Sequence, residues 1–116
     1  MWRVVFYEKE DGRVPVEEFL RAIDSKARAK TVREIGLLRE FGTELREPYS
    51  KFLQDGIFEL RIRFSSDSFR VFYFFCRGHT IVLTNAFIKK TNKTPPGELR
   101  QALLSKADFE RRSSNA

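Results

Sequence analysis

The chain has 116 residues, 41% of them hydrophobic, which suits one compact domain around one core. A single cysteine and a single histidine exclude an intramolecular disulfide, a cysteine-rich zinc site and a histidine-cluster metal site. The net charge of +6 favours a polyanionic partner, nucleic acid first, and no cofactor is expected.

"WRVVFYE", residues 2 to 8, is β-branched and aromatic and reads as a first strand. Its apolar run is too short for a signal peptide or a membrane span, so a cytoplasmic, membrane-free protein is expected. Asp11-Gly12 turns the chain, and Pro15 is suited to the first helical position, where its missing N–H costs nothing. Val16, Phe19, Leu20 and Ile23 then form a helical stripe. Asp24-Ser25 caps a second helix, whose stripe is Val32, Ile35, Leu38 and Phe41, with Gly42 as its stop. "TELREPYSKFLQ" reads as a connector, because Pro48 forbids a regular helix.

Three strands follow: "IFELRIRF" at 57–64, "FRVFYFFC" at 69–76 and "TIVLTNAFIK" at 80–89. Leu99, Ala102, Leu103 and Phe109 mark a C-terminal helix. The expected order is β-α-α-β-β-β-α, an α+β domain with a twisted antiparallel sheet covered by helices on one face. It spans residues 1–110, and "RRSSNA", 111–116, is expected to be a frayed tail.

A four-residue loop at 65–68 would pair Phe64 with Phe69, Ile62 with Val71, Leu60 with Tyr73 and Phe58 with Phe75. That face is wholly apolar and belongs against the helices; a slip by one residue would bury Arg70. The other face holds Glu59, Arg61 and Arg63 opposite Phe74, Phe72 and Arg70. Like charges facing each other destabilise a sheet by up to roughly 1 kcal/mol, so the arrangement suits an anionic ligand. Phe72 and Phe74 would offer rings on which bases stack. Lys51, Lys89, Lys90 and Lys93 would form a basic rim, although lysines also protect a sheet edge.

"KFLQDGIFELRI", "FRVFYFF" and "AFIKKTNKTPPGELRQA" together resemble the RelE/HigB-like toxins, in particular their phage-derived HigB-type branch. The resemblance covers about residues 1–110. It implies a RelE-like α+β fold and a type II toxin–antitoxin system. The toxin would be an mRNA-cleaving, metal-independent endoribonuclease, acting on ribosome-bound mRNA and neutralised by a cognate helix-turn-helix antitoxin. The family's motif arginine falls on Arg61, its later sheet arginine on Arg70, its basic pair on Lys89 and Lys90, and its preceding lysine on Lys51. The C-terminal catalytic tyrosine of some members has no counterpart, since no tyrosine follows Tyr73. Sister toxins of this fold poison DNA gyrase, so a non-catalytic toxin or binding module acting on gyrase, ribosome or RNA is the alternative.

RNA cleavage without metal requires a base for the 2′-OH, stabilisation of the phosphorane and an acid for the leaving oxygen. Arg61 and Arg70, with Arg63 as a third candidate, suit the phosphorane, because a guanidinium holds two oxygens and stays charged. Glu59 is either the base or the brace that orients Arg61. Lys89, or else Lys51 or Lys90, transfers a proton only where its surroundings favour the neutral amine. His79 lies in a turn, Tyr73 and Phe87 read as core, and Cys76 reads as a small hydrophobe.

Overall fold

The structure is a computed structural model and describes residues 1–114. The elements in chain order are β1 (Arg3–Phe6), α1 (Pro15–Ala22), α2 (Ser25–Phe41), β2 (Ser50–Gln54), β3 (Ile57–Phe64), β4 (Asp67–Cys76), β5 (Thr80–Ile88) and α3 (Pro96–Ser114). A 3-10 turn, Gly42–Glu44, follows α2. The fold is α+β, with one five-stranded sheet ordered β1-β5-β4-β3-β2.

Three features depart from the sequence-based expectation. The connector contains a strand, β2, which pairs antiparallel with β3 from Ser50 opposite Leu60 onward. Pro48 does forbid a helix there, but β2 begins two residues later, beyond its reach. The sheet is mixed, because β1 joins β5 in parallel while every other pair is antiparallel. Helices cover both faces. Leu60, Ile62, Val71, Tyr73, Ile81 and Leu83 pack with Val16, Leu20, Ile35 and Leu38 of α1 and α2. On the other face Ile57, Phe72, Phe74, Val82 and Phe87 pack with Leu99, Ala102, Leu103 and Phe109 of α3.

The β3–β4 hairpin has the expected faces in a tighter register. Only Ser65 and Ser66 form the turn, and Ser65 takes a φ of +57°. Phe64 therefore pairs with Asp67, Ile62 with Phe69, Leu60 with Val71 and Phe58 with Tyr73. A shift of two residues preserves the side-chain alternation, so the apolar set still faces α1 and α2. It also brings Arg61, not Arg63, opposite Arg70.

Between β4 and β5 the register jumps: Phe72 pairs with Asn85 but Tyr73 with Leu83. Thr84 is the extra residue of this bulge, and its hydroxyl donates to Phe72 O (3.2 Å). The bulge reverses the alternation, so Phe87 is core as expected but packs toward α3, away from Ile81 and Leu83.

In α2 the buried stripe is Ala27, Thr31, Ile35 and Leu38, while Val32 and Phe41 are exposed. Asp24 caps this helix, accepting from Lys26 N (3.0 Å) and Ala27 N. The last helix continues through Ser114, past residue 111 where the tail was expected to begin. Residues 115 and 116 of that expected tail lie outside the described residues.

Candidate functional site

The β2 strand begins at Ser50 opposite Leu60, so the end of β3 beyond Leu60 becomes open edge. Arg61 N donates to Tyr49 O (2.8 Å), which continues the register one residue past the end of β2. The sheet thus carries a lateral row Tyr49, Arg61, Arg70, Phe87, next to a row Lys51, Glu59, Phe72, Asn85. Arg61, Arg63 and Arg70 line a shallow cleft at this edge. Its other wall is Lys30 and Glu34 of α2 with Pro48 and Tyr49 of the connector.

Glu59 sits under the arginines and is 2% exposed. Its Oε1 lies 2.7 Å from Arg70 Nε and its Oε2 lies 3.6 Å from Arg61 Nη2. The shorter contact is an ion pair off the N–H axis, so Arg70 Nε, Arg61 Nε and Glu59 Oε1 are buried without an aligned hydrogen bond. Arg70 Nη1 donates to Ser68 Oγ (2.6 Å) and Phe69 O (3.2 Å), and Arg61 Nη1 to Glu47 (3.3 Å). Each guanidinium is thus held on its inner side by Glu59. Arg70 Nη2 has no hydrogen-bond partner among the described residues, and Arg63 forms no ion pair among them. Two arginines on neighbouring strands over one buried carboxylate can present a fork of donors to an oxyanion.

Lys51 stands exposed opposite Glu59. Lys89 is half-buried, and its N–H donates to Ser68 O (2.7 Å), which places it in the row of Arg63 and Ser68. Lys90 and Lys93 are exposed on the segment leaving β5. Glu59, Arg61, Arg63, Arg70, Lys51 and Lys89 therefore gather at one end of the sheet. Phe72 and Phe74 do not offer stacking surfaces. Both are 0% exposed beneath α3, where Phe74 meets Phe109 edge-on and Phe72 meets Phe87. A readable signal existed: "VFYFF" in β4 is apolar at every position, which requires cover on both faces.

His79 belongs to the β4–β5 turn at the opposite end of the sheet, on the order of 20 Å along β4 from Arg70. Its ring stacks on Trp2 at 3.8 Å, so it is a packing residue. Tyr73 is core, bonded to Ser50 Oγ, and burial pushes its hydroxyl up to about 12. Burial also raises the Cys76 thiol. Lys30, Glu34, Glu47 and Tyr49 were not legible as site residues. They come from α2 and the connector, and only the fold brings them to the arginines.

Among the described residues no helix is long and apolar enough to cross a membrane. The fold and cleft define a small α+β protein with a basic edge. The family of phage-derived Gp49-like proteins (DUF891) matches residues 18–106, and the chain belongs to this phage-derived, toxin-like family. No curated protein matches the sequence.

Proposed function

We propose that the chain is the toxin of a type II toxin–antitoxin pair, RelE/HigB-like in fold and action. It cleaves mRNA on the ribosome without a metal ion and is held inactive by a helix-turn-helix antitoxin. The observation that carries this reading is Arg61 opposite Arg70 over buried Glu59, both lining a surface cleft and flanked by Arg63 and Lys89. The outer donors of Arg61 and Arg70 hold the scissile phosphate and stabilise the phosphorane as its charge builds. Lys51, Lys90 and Lys93 grip neighbouring phosphates. Lys89, as the ammonium, gives its proton to the leaving 5′-oxygen, and the proton of the attacking 2′-OH passes to solvent water. Glu59 is the brace, since a carboxylate 2% exposed between two guanidiniums has little room to reach a 2′-OH. The ribosome supplies much of the remaining rate by positioning the message.

A second reading has its own support. The cleft offers no imidazole, because the one histidine lies at the far end of the sheet. A non-catalytic toxin acting on gyrase, ribosome or RNA would need none. Brief expression followed by mapping of mRNA ends separates the two. Breaks at defined codons that vanish with Arg61→Ala and with Arg70→Ala are the expected result. Growth arrest with a DNA-damage response and intact messages would establish the second reading, and breaks that persist in both variants would place the site elsewhere.

A further inference from the structure

Tyr49 is an unused aromatic ring at the mouth of the arginine cleft. It is 47% exposed and forms no aromatic pair or cation–π contact among the described residues. The other exposed aromatic ring on this edge, Phe52, is already engaged edge-on by Phe58 at 5.1 Å. Tyr49 is also fixed in place. Its N–H donates to Arg46 O (2.9 Å) and its carbonyl accepts from Arg61 N (2.8 Å). The register sets it on the same face as Arg61 and Arg70, and it lines the same cleft. Phe72, Phe74 and Phe87, also on that face, are buried against α3.

Building on the RNA reading of this cleft, we infer that Tyr49 is the stacking platform for an unpaired base whose phosphate is held by Arg61, Arg63 and Arg70. The site would thus take single-stranded nucleotides and reject duplex, because a base within a helical stack has no free face to lay on the ring. A planar ring next to a phosphate grip is the combination that sequence-tolerant single-strand binders use. The hydroxyl is not required, so phenylalanine should serve as well as tyrosine.

The test uses a 2′-O-methyl tetranucleotide, which binds but cannot be cleaved, and an abasic oligomer with the same phosphates. Both are titrated at low salt into the full-length protein, Tyr49→Phe and Tyr49→Ala, with thermal melting to confirm folding. Wild type and Tyr49→Phe should bind the base-bearing oligomer about 5- to 150-fold more tightly than the abasic one. Tyr49→Ala should lose that preference and keep its affinity for the abasic oligomer. A preference that survives in Tyr49→Ala, a wild type without preference, or no binding of either oligomer would overturn the inference. Cleavage is read separately by mRNA ends, so intact breaks with a failed stacking test overturn Tyr49 alone. Missing breaks with an intact preference overturn cleavage alone.

Discussion

Glu59 brings a negative charge into the sheet at the one place where two arginines meet it. Without that charge Arg61 and Arg70 would face each other across the β3–β4 pair, a like-charge contact worth roughly 1 kcal/mol of destabilisation. Loss of the charge-assisted contacts adds about 1–2 kcal/mol, reduced here because Arg61 and Arg70 remain partly exposed. Glu59→Gln is nearly isosteric, so it removes the charge with little change of shape. It should lower stability by about 1–3 kcal/mol in urea titrations, whereas Arg63→Ala should stay within about 0.5 kcal/mol. Inorganic phosphate should restore part of the Glu59→Gln loss, since an anion held by both arginines replaces the missing charge. If Glu59→Gln is fully stable yet abolishes mRNA cleavage, Glu59 is the base and the brace assignment fails.

At the scale of elements, the end of α2 depends on a glycine packed against Trp2, the residue before β1. Gly42 follows the last turn with a φ of +53°, and its N–H bonds to Leu38 O. A Cβ built there would overlap the Trp2 indole, and Trp2 N in turn donates to Arg39 O (2.9 Å). Gly42→Ala therefore meets both a strained backbone and a packed ring and should cost about 2 kcal/mol or more. Gly36 sits in the exposed middle of the same helix with nothing within 4 Å of a Cβ. Gly36→Ala should stabilise by about 0.5–1 kcal/mol through helix propensity. Chemical denaturation of the pair checks both signs, and equal effects would contradict the assigned role of Gly42. The contrast shows what sequence could convey about the elements. Gly42 was legible as a stop because it follows an apolar stripe. The contact that makes it indispensable was not, because Trp2 is 40 positions away. Likewise the alternation of β3 fixes which side chains share a face, yet the turn length at Ser65 decided which arginine meets Arg70. The bulge at Thr84 has no local signature, since Asn85 and Phe87 fit a regular strand equally well.

Across the whole molecule, a net charge of +6 says nothing about where the charge acts. Arg61, Arg63, Arg70 and Lys89 were legible as one group because strand alternation and hairpin pairing place them together. Lys30 and Tyr49 were not, because their approach depends on how α2 and the connector pack. Arg77, by contrast, occupies the exposed β4–β5 turn at the opposite end of the sheet. Two modes of RNA binding then differ in a measurable way. If the net charge attracts RNA diffusely, every exposed cation contributes alike. If the cleft edge holds it, only the cations there release counterions. Each phosphate neutralised on a single strand contributes about 0.7 to the slope of log affinity against log salt. Arg63→Ala and Lys89→Ala should each reduce the slope for an uncleavable single-stranded RNA by about that amount, while Arg77→Ala leaves it unchanged. Equal reductions from all three variants would mean that RNA is held by charge spread over the surface, and the arginine edge would lose its standing as the site.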